Sequence, residues 1–316
     1  MSNRPDRTRV LFVGGAGHHF LRTTVERPEG GLFVADPDDP GAAESKAERL
    51  GFALFSGELE EAVETHKPDV ANVGTVYGRA WAASERLLKL GIPVVSDKPV
   101  AATPEQLDRL RSAGGRLVTE FDWRADASLQ VARQAVRDGR IGDVVLARAQ
   151  KTYKLGRRPA WYADPDLYTS TMLWINAHGI DALRFVCGEM TPVFARQTNA
   201  ASPSITPGED HAVAIFTLPN GATAIAHADF ARAAGHDTHG DDHLVVRGST
   251  GELVVTRETC VLTTHDASPV ALPLPELPTL GDQLLDAALR DETDMFATRE
   301  TFATAELLLS TTQLSR

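Results

Sequence analysis

Cysteine is scarce, with two in 316 residues, Cys187 and Cys260. They stand far apart, and neither has Cys or His beside it at metal-finger spacing. A disulfide framework is therefore excluded, and a reducing cytoplasm is the expected compartment. Basic charge is also short: Lys+Arg number 32 against 43 Asp+Glu, a formal net charge of −11. A nucleic-acid binder would carry a basic stripe, and a protein adsorbed on acidic lipid a basic face, so neither partner is expected. No apolar run approaches the ~20 residues of a membrane span. Residues 1–9 are polar and lack the apolar core of a signal peptide. Hydrophobic residues at 42% exceed what a disordered chain carries. What remains is an acidic globular chain with length for two domains of about 150 residues. Lysine is rare enough to notice, standing only at positions 46, 67, 89, 98, 151 and 154.

Short apolar runs alternate with helix patterns through the first third of the chain. Strands are expected at 9–13, 31–35, 70–73, 93–96 and 116–119. Helices are expected after the first strand to residue 26, then at 42–50, 58–65, 79–90 and 104–113. Continuous apolar strands between amphipathic helices mean a parallel sheet covered on both faces. Right-handed crossovers make it doubly wound. Beyond residue 120 the pattern changes. A helix at 129–137, a long strand at 143–152 and a buried helix at 172–186 precede two hairpins. Pro219-Asn220-Gly221 turns the first, between 212–218 and 222–229. Ser249-Thr250-Gly251 turns the second, between 243–247 and 252–256. Helices at 280–290 and 300–310 close the chain. The expected fold is α/β: a Rossmann domain over 1–120, then an α+β domain over 121–316 with an open, mainly antiparallel sheet.

Val13-Gly14-Gly15-Ala16-Gly17-His18-His19-Phe20 lies at the first strand-to-helix turn, where a dinucleotide-binding turn belongs. Gly15 and Gly17 suit a tight turn and close backbone approach to a pyrophosphate, and a helix N-terminus there would offer free N–H groups. Phe20 stands where a third glycine or alanine is usual. Asp36 ends the second strand about 20 residues on, placed to accept hydrogen bonds from the adenosine ribose. Its charge, with Asp38 and Asp39 nearby, favours NAD over NADP. His18, Thr75 and Lys98 complete the expected cofactor contacts.

Asp97-Lys98-Pro99 follows the apolar strand Ile92-Pro93-Val94-Val95-Ser96. The lysine thus sits at a strand's carboxyl end, where open parallel sheets bind ligands. Here the sequence resembles the glucose–fructose oxidoreductase/inositol dehydrogenase (Gfo/Idh/MocA) family, which carries Glu-Lys-Pro at this place. The likeness runs along almost the whole chain. It continues through Pro68-Asp69-Val70, Gly91-Ile92-Pro93-Val94, Asp138-Gly139-Arg140-Ile141-Gly142-Asp143-Val144, Ala177-His178-Gly179-Ile180-Asp181-Ala182-Leu183 and Arg247-Gly248-Ser249-Thr250-Gly251-Glu252-Leu253.

The resemblance implies an enzyme that moves a hydride between a nicotinamide cofactor and a sugar, cyclitol or related polyol, with Lys98 and His178 at the reacting oxygen. It also implies a homodimer, or a tetramer built from it, in which a second subunit covers the outer face of the C-terminal sheet. Histidine titrates near neutrality and suits a general base. A lysine beside the same oxygen stabilises developing negative charge. One departure stands out: polyol-oxidising members place an aspartate four residues before the histidine, and here that residue is Trp174. Trp174 could offer an apolar face to a sugar or aromatic ring. Asp181, three residues after His178, is a candidate to orient the imidazole or bind a substrate hydroxyl. Arg124 and Tyr153 are further substrate-binding candidates, Tyr153 heading a loop that also holds Arg157, Arg158, Trp161 and Tyr162. His236, His239 and His243 lie in a loop, and no metal is expected. Two other readings stay open: a cofactor-binding sensor without turnover, and a dehydrogenase of a non-sugar ring.

Overall fold

The computed structural model describes residues 8–200, 209–290 and 295–315. These divide into two compact units, one of residues up to Glu120 with Pro278–Ala305, the other of Phe121–Leu277 with the chain from Glu306 on. Among the described residues no helix is long and apolar enough to cross a membrane.

In the first unit, β1 (Val10–Val13), β2 (Gly31–Val34), β3 (Ala53–Phe55), β4 (Val70–Val73), β5 (Val94–Ser96) and β6 (Leu117–Thr119) form one parallel sheet. Its order is β3-β2-β1-β4-β5-β6, the doubly wound arrangement expected from the alternation. Every side chain of β1 is buried, as a central strand covered on both faces requires. Four helices connect the strands: α1 (Pro40–Leu50), α2 (Leu59–His66), α3 (Ala80–Lys89) and α4 (Pro104–Ala113). Local chemistry fixes the bounds of α4. The Thr103 hydroxyl accepts from Gln106 N, Pro104 opens the first turn, and Gly114 takes φ +72° just past the end.

The helix expected directly after the glycine turn does not form. Residues 18–26 hold only a 3-10 turn, Phe20–Thr24. Thr23 and Thr24 return their hydroxyls to the carbonyls of Phe20 and Leu21 at 3.0 and 2.8 Å. These local bonds, with β-branched Thr23, Thr24 and Val25 in succession, compete with the helical ladder.

The second unit contains α5 (Ala127–Arg137), β7 (Val144–Tyr153), α6 (Pro165–Tyr168), α7 (Thr171–Trp174) and α8 (Asn176–Cys187). Strands β8 (Thr191–Thr198), β9 (His211–Thr217), β10 (Thr223–Asp229), β11 (Gly240–Gly248), β12 (Gly251–Val255), β13 (Cys260–Thr264) and β14 (Ala267–Ala271) follow. The sheet is open, in the order β14-β13-β12-β11-β7-β10-β9-β8. Only β7 and β10 run parallel; the other neighbours are antiparallel. The helix expected over 172–186 is interrupted for one residue at Ile175, which keeps right-handed helical angles. One sheet face is lined by Ala147, Ala149, Ala212, Ala214, Ala224, Ala226 and Ala228, all at most 1% exposed. Small side chains there let α8 lie close. A Cβ on Gly179 would sit 3.5 Å from Ala149 and 3.7 Å from Ala226. That close seat fixes where the neighbouring His178 points.

The second domain expected over 121–316 does not run unbroken. Helix α9 (Leu280–Leu289) returns to the first unit because its apolar residues, Leu284, Leu285, Ala287 and Ala288, are buried against β4, β5, β6 and the 3-10 turn. The start of α10 (Thr298–Leu314) closes the sheet edge. Thr298 and Thr301 hydroxyls accept from the β6 backbone at Leu117 N and Thr119 N, at 3.2 and 3.0 Å.

Candidate active site

The carboxyl ends of β1, β2, β4 and β5 meet where the strand order reverses, the crevice in which open α/β sheets bind ligands. Gly14 turns the chain out of β1 at φ +77°. A Cβ on Gly15 would lie 2.2 Å from the backbone of Ala42, and one on Gly17 would lie 2.7 Å from Asp97 Oδ2 and 2.9 Å from Gly74 Cα. Only glycine fits at either position. Gly17 N donates to Gly74 O at 2.7 Å, tying the turn to the end of β4.

Three side chains hold the turn. His19 is buried and its Nε2 lies 3.0 Å from Gly14 O. Burial, helped by the Lys46 charge, lowers its pKa to about 3, so the ring is neutral and donates to that carbonyl. His18 places its backbone N and ring Nδ1 on Asp97 Oδ2, at 2.8 and 3.0 Å. Asp97 also pairs with Lys98, whose Nζ is 3.4 Å from Oδ1. Burial opposes the charge on Asp97, but Lys98 and His18 overcome it and hold the carboxyl well below the usual carboxylate range. Lys98 itself is 3% exposed at the tip of β5. Thr75 is buried and donates to Val76 O at 3.0 Å.

Asp36 stands past the end of β2 as the sequence indicates, but its carboxylate faces inward. Oδ2 accepts from Val76 N at 2.8 Å, Oδ1 from Asp38 N at 3.0 Å, and burial raises its pKa against those two bonds. Each oxygen keeps a second lone pair, so a ribose hydroxyl can still be accepted. The turn, Asp36, Thr75 and Lys98 at one sheet edge therefore fit a dinucleotide. The fit lacks one usual element, since no helix N-terminus follows the turn to meet a pyrophosphate.

In the second unit, α8 carries His178, whose side chain is 6% exposed. Its Nδ1 lies 3.0 Å from Oδ1 of Asp122, which is 28% exposed, in the turn Asp122–Ala125. Arg257 binds three carboxylates, Asp122 at 2.8 Å, Asp126 at 2.9 Å and Asp242 at 2.6 Å. Asp242 also receives Lys151 Nζ at 2.6 Å. Burial would raise Asp122, but His178 and Arg257 hold it well below the ordinary range. Burial lowers Lys151, and Asp122 and Asp242 offset part of that.

Two of the expected substrate contacts pair with each other. The guanidinium of Arg124 and the carboxylate of Asp181 bind each other at 2.6 to 3.1 Å and are 2% and 1% exposed. Arg124 also lies over Phe121 and Phe185. A pair so enclosed braces α8 against the turn, so the carboxylate at His178 Nδ1 belongs to Asp122 and not to Asp181. Trp174 is buried in α7. Tyr153 is half-buried and stacks on His239 with ring centres 5.1 Å apart. The sequence reading passed over Asp122, Lys151, Asp242 and Arg257. Lysine scarcity marked Lys151, but nothing local joins Asp122 to an arginine 135 residues away.

Comparison with known proteins gives these parts a family. A model described as an oxidoreductase family with an NAD-binding Rossmann fold matches residues 8–114. The GFO/IDH/MocA C-terminal domain matches residues 129–254. The chain belongs to the GFO/IDH/MocA family. Lys98 lies in the first matched segment of this GFO/IDH/MocA chain and His178 in the second. A D-glucoside 3-dehydrogenase of Escherichia coli (strain K12) is 28% identical over 201 residues, 60% of this chain. The match spans only 56% of that relative's length. A Thermotoga maritima structure, provisionally classed as an oxidoreductase, aligns with TM-score 0.88 at 24% identity over 97% of each chain. A levoglucosan dehydrogenase in complex with NADH and levoglucosan aligns with TM-score 0.77 at 16% identity over 98% of each chain. These two likenesses are of fold.

Proposed function

We propose that this chain is an NAD-dependent oxidoreductase acting on a CH–OH group of a sugar, cyclitol or related polyol. The observation that carries the reading is Lys98, a buried lysine at the tip of β5 held by Asp97 at 3.4 Å. A buried ammonium at the crevice of a parallel sheet suits a reacting oxygen that gains negative charge. His178 takes the hydroxyl proton on Nε2, its Nδ1 being turned to Asp122. When bound, the nicotinamide cofactor accepts or returns the hydride. The glycine turn, Thr75 and Asp36 hold the dinucleotide, and the Asp36 carboxylate disfavours a 2′-phosphate. The relatives' names, a glucoside dehydrogenase and a levoglucosan dehydrogenase, point to the same substrate class.

Absorbance of reduced nicotinamide across a panel of polyols and cyclic non-sugar alcohols, with NAD and with NADP, tests the reading. Turnover with NAD on a polyol is expected, and turnover on the non-sugar ring alone would move the substrate class. Lys98→Ala and His178→Ala should each lower kcat by about 10²-fold or more while leaving NAD affinity roughly unchanged. Wild-type turnover in His178→Ala would reduce the histidine to a packing residue. One observation favours a second reading, an NAD-binding sensor without turnover: buried Trp174 stands one helical turn before His178, where polyol-oxidising members keep an aspartate. NAD binding by calorimetry with no turnover on any panel member would select it.

A further inference from the structure

Asp122, Asp126, Asp242, Arg257, Lys151 and His178 form one connected group within the second unit, with links of 2.6 to 3.0 Å. Three carboxylates face the two cations Arg257 and Lys151, so a proton on His178 brings the group to neutrality. We propose that Asp122 is the positioning residue for His178: its carboxylate pairs with the Nδ1 side of the ring at 3.0 Å, which assigns proton exchange with substrate to Nε2. This rests on the reading of His178 as the proton acceptor.

Asp122 lies in a short turn, and a lone aspartate there would swing. Arg257 prevents that by binding Oδ2 at 2.8 Å, which leaves Oδ1 for His178. Arg257 is fixed in turn by Asp126 and Asp242 and lies over the Trp123 ring. Lys151 anchors Asp242 from β7, on the alanine-lined face where α8 packs, as its register opposite Ala228 and Asp242 requires. The turn, the residue before α5, β7, β11 and the segment after β12 thus contribute Asp122, Asp126, Lys151, Asp242 and Arg257. α7 brings no charged side chain. On α8 itself, Asp181 is bound by Arg124, and Arg184 pairs with Glu189. The His227 and Asp229 of β10 alternate away from the buried Ala226 and Ala228, on the opposite sheet face.

A carboxylate at this distance favours the charged imidazole, so loss of the Asp122 charge should show in how His178 titrates. The test is nitrogen-detected NMR of histidine rings in the full chain without ligand, with His178 assigned by His178→Gln. In wild type the neutral ring should carry its proton on Nδ1. In Asp122→Asn the His178 titration midpoint should fall by about one to three pH units. In Asp126→Asn, where only Arg257 loses a partner, it should move much less. A wild-type neutral ring protonated on Nε2 overturns the proposal, even if Asp122→Asn fails to fold. So does an unmoved midpoint in a folded Asp122→Asn. These readouts need no turnover, so they remain decisive if His178→Ala shows the catalytic reading to be wrong.

Discussion

Arg124 and Asp181 show how residue type and residue role separate. Both were visible in the sequence as polar groups in suggestive motifs, yet they lie 57 positions apart and nothing local pairs them. Burial sets what the loss of either would cost. Each is at most 2% exposed, so deleting one leaves the other's charge buried without the partner that binds it at 2.6 Å. Arg124→Ala, or Asp181→Ala, should therefore destabilise the protein by about 3–5 kcal/mol in denaturant unfolding. A loss below about 1 kcal/mol, with a raised KM for substrate, would return the pair to the binding surface. Lys98 and His178 were legible for the opposite reason. Each sits in a short motif whose neighbours in sequence set its place, a strand tip for one and a helix close to small residues for the other.

At the scale of elements, capping and periodicity carried most of the reading. α4 has the expected bounds, residues 104–113, because Thr103, Pro104 and Gly114 fix both ends. The central strands were legible as uninterrupted apolar runs. The stretch after the glycine turn was not. Its composition permits a helix, but the threonine hydroxyls and the ring of His19 find local carbonyls instead. Short edge strands such as β3 and β14 gave no signal, since three or five largely exposed residues carry no hydrophobic period. The glycine turn was read as a ligand contact, yet Gly15 is already required by the backbone of α1. Gly15→Ala should lower stability by about 1–3 kcal/mol through overpacking, even without cofactor. Gly41→Ala, with nothing within 4 Å of its Cβ, should leave the melting curve almost unchanged. Equal melting temperatures for the two variants would show that α1 yields easily.

For the whole molecule, two buried groups of the first unit set opposite limits on stability. His19, with its pKa lowered to about 3, supports the fold above its unfolded value near 6.5 and loses that support as pH falls toward 3. Glu120 behaves in the other direction. Burial and the Asp97 charge raise it well above 4.5, so its contribution is complete below 4.5 and declines as pH rises through the folded value. Glu120→Gln should remove that decline. Denaturant unfolding at pH 4.5 and pH 7.5 should show stability dropping less for the variant than for wild type between the two. An equal or larger drop in the variant would rule out Glu120 as the source. The return of α9 to the first sheet has a consequence for synthesis. On the ribosome, the strands of the first unit emerge early, but the helix that covers β4–β6 leaves the tunnel only after residues 121–277 have been made. Residues 121–277 of the later unit are thus inserted within the chain of the earlier one. Until α9 has left the tunnel, the nascent Rossmann sheet lacks its cover over β4–β6.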